Sequence, residues 1–451
     1  MKILIRGAGD LATGIASRLY GAGHQILMTE IEVPLTVRRT VALSRAVYEG
    51  SARVEEMLGV LVKDQADAEQ TMAAGDIAVM VDETASCREW FRPDVIVDAI
   101  LAKRNLGTKI TDAPFVIGVG PGFTAGADCN CVGETKRGHT LGNIIRRGSA
   151  IPNTGVPGNV AGYTIERLIR AGADGILEPR AQIGDYVEKG SVVAVTGGVP
   201  VYAQMSGIVR GMLQAGVQVN KNLKIGDIDA RAEVSHCYTI SDKARAIGGG
   251  VLEAAAAFER MKDRFAIVIL AAGAGTRFGG NKLNALVKNR PLYEYTLDRV
   301  QAFGSFPAFI VTGSEEIAQE AEKRGITPVW NKEPERGISL SLTLGLKKAL
   351  ESRPDLKGVM FSVCDQPGLD TSTMQQIFCT AYLHPGSIVC AGNSGRTGNP
   401  VCWDENFFAE LLALTGDEGG RQIMRKYKEK VRIVQVDPEE LKDIDRREDL
   451  R

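Results

Sequence analysis

Apolar residues along this chain fall into short runs and helical stripes, and the rhythm of their alternation changes twice. From residue 1 to about 172, apolar runs at 2–6, 25–29, 77–81, 95–99 and 115–119 are separated by helical patterns. Runs of this length interleaved with helices predict an α/β domain on a mostly parallel sheet. Over about 173–235 the pattern shortens. The segments 182–190, 192–195, 199–204 and 207–211 are β-rich and broken by glycine turns, which predicts a small all-β barrel or sandwich. A helix-prone stretch, 243–262, ends in charged residues and reads as a closing helix plus linker within 236–263. The buried-strand run Ala266-Ile-Val-Ile-Leu-Ala271 then opens a second α/β region, 264–451.

Composition changes this picture little, but it excludes several functions. A chain of 451 residues has room for two to four domains, and 44% hydrophobic with 24% charged residues is the balance of an ordinary globular protein. The net charge of −1, without a basic or acidic block, argues against a nucleic-acid groove or a polybasic membrane anchor. The eight cysteines form no C-x-x-C pair, and Cys129-Asn-Cys131 is too tight for zinc. The apolar start is interrupted by Lys2 and Arg6, unlike a signal peptide, and no run approaches ~18 apolar residues. The expectation is a soluble, cytoplasmic protein that acts on small molecules, with no nucleic-acid or membrane partner.

The densest candidate chemistry begins at residue 270. Leu270-Ala-Ala-Gly-Ala-Gly-Thr-Arg-Phe-Gly-Gly-Asn-Lys282 runs from a strand into a loop carrying Gly273 and Gly275, with Arg277 and Lys282 beside it. Glycines let backbone N–H groups approach phosphate oxygens, Arg277 offers a planar fork, and Lys282 a mobile point charge. No Gly-Lys-Ser/Thr occurs, so this is not a Walker A loop. Phe361-Ser-Val-Cys-Asp365-Gln-Pro ends a second strand in a carboxylate. Ligands of open α/β sheets sit beyond the carboxyl ends of strands, so Asp365 is placed to hold Mg²⁺ against a triphosphate. A strand-end aspartate serves equally well as a helix cap or turn residue. A further acidic pair, Asp443-Ile-Asp445, lies near the terminus.

These pieces, with Thr397-Gly-Asn-Pro-Val401, Leu414-Thr-Gly-Asp-Glu-Gly-Gly420 and the closing Asp443-Ile-Asp-x-x-Glu-Asp-Leu450, resemble the molybdenum cofactor nucleotidyltransferases over residues 264–451. The Leu-Ala-Ala-Gly opening is closest to the cytidylyl branch. The resemblance implies a doubly wound, Rossmann-like domain with a mixed sheet. It also implies Mg²⁺-dependent transfer of CMP from CTP to molybdopterin, with release of pyrophosphate. In that reading Leu270, Ala271, Ala272, Gly273, Gly275 and Arg277 cradle the triphosphate, and Lys282 meets its charge. Asp365 holds the metal with Asp445, or its neighbour Asp443. Asn331, Gly337, Ser339 and Ser341 line the base and ribose, although the two serines suit a helix cap and first turn as well. Asn399 and Pro400 face the acceptor. A methylerythritol-type or sugar phosphate acceptor, or a non-catalytic cofactor-handling chaperone, are the competing readings.

At the other end, Ile3-Leu-Ile-Arg-Gly7-Ala-Gly9-Asp10-Leu-Ala12 fits strand, G-x-G-x-x-A and helix, with Glu30 18 residues after Ala12. That predicts a Rossmann-like domain over 1–172 and suits NAD(P) or another nucleotide at Gly7, Gly9, Asp10 and Glu30. Asp10 sets a negative charge where a pyrophosphate would lie. Farther on, Glu134, Arg137 and His139 form either an acid–base cluster or a capping and ion-pair network. Residues 1–262 resemble the accessory proteins of selenium-dependent molybdenum hydroxylases, and more loosely those of xanthine dehydrogenase. The resemblance implies a molybdenum hydroxylase apoenzyme as client. Residues about 177–230 are similar to biotinyl/lipoyl barrels, but Met205 stands where such domains carry a modified lysine.

Overall fold

The computed structural model describes residues 1–451 except 154, 156–160, 274–277, 279, 304–305 and 451. Two compact units form, Met1–Ala256 and Ala257–Arg451.

The first unit is built on a nine-stranded sheet. Its order is Ile144–Ile145, Cys131–Gly133, Phe115–Val119, Val95–Asp98, Lys2–Arg6, Gln25–Glu30, Ile77–Val81, Met57–Val62 and Ser51–Val54. The interior seven strands are parallel and the two edge strands antiparallel. Central runs such as Ile3-Leu4-Ile5 and Ile77-Ala78-Val79 are fully buried, as strands covered on both faces must be. Two four-stranded antiparallel sheets then make the predicted barrel-sandwich. Alternating residues such as Leu177, Val193, Val209 and Ile228 fill its centre. Its first strand, Leu168–Arg170, lies ahead of residue 173 and pairs with Lys224–Asp229. Met205 is buried at the hairpin position where a carrier lysine would stand out. The helix Asp242–Arg264 follows.

The second unit carries a seven-stranded mixed sheet, in the order Thr327–Trp330, Ala308–Thr312, Phe265–Ala271, Gly358–Val363, Arg396–Asp404, Ile388–Asn393, Val431–Gln435. Only Arg396–Asp404 runs antiparallel to its neighbours. Under one face Phe265, Phe303, Phe306 and Phe378 pack ring to ring, each burial worth roughly 1.5–3 kcal/mol. Both units are α/β, as the alternating pattern predicts. No helix among the described residues is long and apolar enough to cross a membrane.

Candidate functional site

Phe265–Ala271 and Gly358–Val363 are neighbouring parallel strands, with Leu270 opposite Val363. Such strands lie about 4.8 Å apart, so Ala272–Gly273 and Cys364–Asp365 leave the sheet side by side at the same edge. Lys282 opens a short 3₁₀ turn, Lys282–Asn284, and reaches back to this edge. Its Nζ lies 2.9 Å from Asp365 Oδ2 and 2.9 Å from Asp445 Oδ1. Two carboxylates 80 residues apart in sequence (Asp365 and Asp445) therefore converge on one cation.

The C-terminal segment is held there by packing and by backbone. Ile444 is buried with Phe278 and Leu292, and its N–H donates to the Asp365 carbonyl at 2.9 Å. Asp443 then accepts a bond from the Gln366 side chain at 2.9 Å, while Asp445 faces Lys282. Burial lifts the Asp443 carboxyl above the usual aspartate range, and the charge of Asp365 adds to the lift. Burial alone would lower the Lys282 ammonium, but its bonds to Asp365 and Asp445 outweigh that and raise it.

Can these residues hold Mg²⁺? Asp365 Oδ1 is buried without a hydrogen-bond partner, and the surrounding donors are hard carboxylate oxygens already gathered around a positive charge. Mg²⁺ takes one or two carboxylates and completes its shell with water and phosphate oxygens, so the residues fit that ion. Among the described residues no three His, Cys, Asp or Glu side chains could cage a metal by themselves.

A residue outside the recognisable motifs sets the geometry of this turn. Arg299, buried on the helix Leu292–Ala302, donates to the carbonyls of Gln366 at 3.2 Å and Pro367 at 3.0 Å. Thr296, one turn earlier, donates to the Val363 carbonyl at 3.2 Å. Burial pushes the Arg299 guanidinium down to about 10, against the pull of Asp370 and Glu440. Its signal in the sequence is a cation at the seventh position after Leu292, on the helix's apolar stripe.

The residues expected on the nucleotide side divide into two groups. Leu270 and Ala272 are half-buried, Ala271 is buried and Gly273 exposed. A side chain on Gly273 would meet no described atom within 4 Å. Gly275 and Arg277 lie outside the described residues. Asn331, Ser339 and Ser341, by contrast, are buried and engaged internally. Asn331 donates to Ser341 at 3.0 Å and accepts from the Glu333 N–H, while Ser339 donates to the Gly416 carbonyl at 2.6 Å. Neither serine caps the helix Ile338–Ser352, whose cap is Gly337 at φ +88°. A Cβ on Gly337 would stand 2.4 Å from the Gly416 oxygen, so glycine is required there by both torsion and space. These residues clamp the 414–420 loop onto the helix start.

Asn399, joined to the buried Pro400 by a cis peptide, lines a cavity of about 340 Å³ with Leu270, Ile338, Trp403, Asp417 and Arg421. Asp365, Lys282 and Asp445 border the same sheet edge but are not in that cavity's wall.

In the first unit the glycine turn expected for a nucleotide is present. Gly7 and Gly9 do form a strand–loop–helix turn, but the Ala8 N–H already donates to Glu30 at 3.0 Å. Thr36 lies against Gly9, Arg38 pairs with Asp10 at 3.7 Å, and the Ser44 N–H donates to the Ala8 carbonyl at 2.9 Å. The chain's own segment 36–44 thus packs against one side of this turn, while Gly7 lines a cavity and Gly9 and Asp10 stay partly exposed. Glu134 proves a capping residue. Its carboxylate accepts from the amides of Thr135, Lys136 and Ile151, while Arg137 pairs with Asp242 and His139 is exposed.

Comparison with known proteins bears on the second unit most directly. Residues 267–431 match the family model of the MobA-like NTP transferase domain, so this unit carries a nucleotidyltransferase-type domain. The probable molybdenum cofactor guanylyltransferase of Thermococcus gammatolerans is 34% identical over 80 residues, 17% of this chain and 42% of that protein. The uncharacterized protein YqeB of Escherichia coli is 50% identical over 252 residues, 56% of this chain and 47% of that protein. The chain thus spans about half the length of the curated relatives it matches. A crystal structure of Rv0371c from Mycobacterium tuberculosis aligns with 24% identity and a TM-score of 0.37, over 41% of this chain and 94% of that one.

Proposed function

We propose that the second unit transfers CMP from CTP to the terminal phosphate of molybdopterin, giving the cytosine dinucleotide and pyrophosphate. The observation that carries this reading is the convergence of Asp365 and Asp445 on one cationic position, at the sheet edge that Gly273 shares. Asp365 and Asp445 would hold Mg²⁺, which when bound neutralises the triphosphate and polarises its α-phosphoryl group. Lys282, displaced from the carboxylates, carries its charge to the triphosphate. Gln366 keeps Asp443 in place, and Arg299 fixes the turn that bears Asp365. An acceptor phosphate oxygen is already anionic, so it attacks the α-phosphorus in line without a protein base, and the bond to the β-phosphate breaks. Positioning and charge neutralisation are what the site offers.

The family match over 267–431 and the five ordered motifs support the reaction class. The Leu-Ala-Ala-Gly opening favours cytosine. The Thermococcus relative, named as a guanylyltransferase, favours guanine as the second reading. In the same proposal the first unit is a maturation or delivery domain whose client is a molybdenum hydroxylase apoenzyme.

Pyrophosphate release by the full chain, given Mg²⁺, molybdopterin and CTP, GTP or ATP in turn, tests this reading. Release with CTP alone is expected. Release with GTP alone overturns the base, and release with a sugar or polyol phosphate instead of molybdopterin overturns the acceptor. Binding without release leaves the chaperone reading. At 100-fold excess over Kd the true NTP adds about 2.7 kcal/mol to the unit that binds it, so one melting transition should move while the other stays.

A further inference from the structure

The cavity beside Asn399 in the second unit has walls of two kinds. Its volume of about 340 Å³ lies at the small end of ligand sites. Leu270, Phe361, Val363 and Met424 make much of it apolar. Asp417 and Arg421 add one charge of each sign. Both are exposed, and among the described residues neither makes a hydrogen bond or ion pair, not even with the other.

The loop that carries these charges is held at two points. Gly416, just before Asp417, accepts from the Ser339 hydroxyl at 2.6 Å and from the Ser339 N–H at 3.3 Å. Gly420, just before Arg421, lies against the indole of Trp403, where a Cβ would come within 2.3 Å of the ring. A carboxylate and a guanidinium on an anchored loop need little further ordering to meet a ligand.

The same cavity adjoins both metal carboxylates. Val363, on its wall, stands two residues before Asp365, at most about 7 Å along the chain. Gly398, also on the wall, lies against Leu441, four residues before Asp445; a Cβ there would stand 3.0 Å from the Leu441 side chain. A ring seated in the cavity therefore has its phosphate arm close to Asp365 and Asp445.

The wall chemistry selects the ring. A carboxylate accepts paired bonds from a ring N–H and the amino group next to it, and a guanidinium donates to a carbonyl. Apolar walls suit the faces of a planar bicycle. Together these match a fused ring with a 2-amino-4-oxopyrimidine edge, which a pterin and a guanine both carry.

Resting on the molybdopterin reading above, we propose that this cavity holds the acceptor's pterin and that Asp417 and Arg421 set acceptor specificity. The N3–H and 2-amino group donate to Asp417, and the 4-oxo group accepts from Arg421. The test is titration of the full chain at pH 7 with 6-hydroxymethylpterin, with 6-hydroxymethyllumazine, in which an oxo group replaces the 2-amino group, and with guanosine. The pterin should bind at least about tenfold more tightly than the lumazine, whose 2-oxo group faces the carboxylate without a proton to share. Asp417→Asn should reverse that preference, because an amide accepts from N3–H and donates to the 2-oxo group. Arg421→Ala should weaken both ligands alike, by at least about tenfold, since both keep the 4-oxo group. Neither substitution should move the second unit's melt, as both side chains are exposed and unpartnered among the described residues.

No pterin binding, equal binding of the lumazine, or a preference unchanged in Asp417→Asn would each overturn the assignment. Guanosine binding as tightly as the pterin would give the cavity to a nucleotide base instead. Pyrophosphate release separates this proposal from the reaction it rests on. Release with an unchanged KM for molybdopterin in Asp417→Asn removes the subsite and leaves the reaction. Selective pterin binding without release from any NTP removes the reaction and leaves the subsite.

Discussion

The first strand of each unit is buried and runs into a glycine-bearing turn at the edge of its sheet, yet the two turns have different neighbours. At Gly7–Gly9 the chain packs against its own turn: Glu30 takes the Ala8 amide, Thr36 lies against Gly9, and Arg38 pairs with Asp10. At Gly273 nothing described lies within reach, and a lysine with two carboxylates waits at the next strand's end. A glycine-rich turn permits close approach. What approaches, another part of the chain or a ligand, is settled by residues far away in sequence.

Five substitutions sharpen or break this contrast. The largest effect belongs to Asp365→Ala, expected to lower magnesium-dependent turnover by at least ~10²-fold, the scale of losing a group that neutralises transition-state charge. Near-normal turnover would remove the metal assignment and leave the two turns functionally alike. Gly337→Ala should destabilise the second unit by about 2 kcal/mol or more, through a forbidden torsion and a 2.4 Å approach to the Gly416 oxygen. Its melting transition should fall by several degrees while the first unit's holds, and an unchanged melt would mean the 414–420 loop is not clamped.

A smaller effect separates the glycines themselves. Gly273→Val should leave the melt within about 0.5 kcal/mol of the parent, since its side chain meets no described atom within 4 Å, but should weaken NTP binding measurably. Gly9→Ala makes only an ordinary 3.5 Å contact with Thr36 and should change neither stability nor NTP binding. If Gly9→Ala, and not Gly273→Val, impaired nucleotide binding, the contrast would be reversed.

The smallest effect is electrostatic. Asp443 has its carboxyl raised by burial and by Asp365, so its charged form is disfavoured in the fold. Such a group's contribution is fully present below the unfolded value near 3.8 and is lost as pH rises through the folded one. Asp443→Asn keeps an acceptor for Gln366 and removes the charge. It should therefore raise the second unit's melting temperature slightly at pH 8, with the gain fading as the pH falls toward 4. A gain that grew on acidification would contradict the assigned cause.

Much of this molecule is legible in its linear pattern, because strand and helix periods are local properties of the chain. The buried runs around Ile3–Ile5 and Ala266–Ala271, the glycine turns after them, and the carboxylate ending the 361–365 run are all readable without coordinates. Local pattern carries no information about which surfaces meet. Only the folded chain places Ile444 against Phe278 and Leu292, and so brings Asp445 to Lys282 from 163 residues away. Only packing turns Asn331 and Ser341 toward each other, and brings residues 36–44 against the first glycine turn. Burial and hydrogen-bond satisfaction are long-range outcomes, decided when distant segments exclude water from one another.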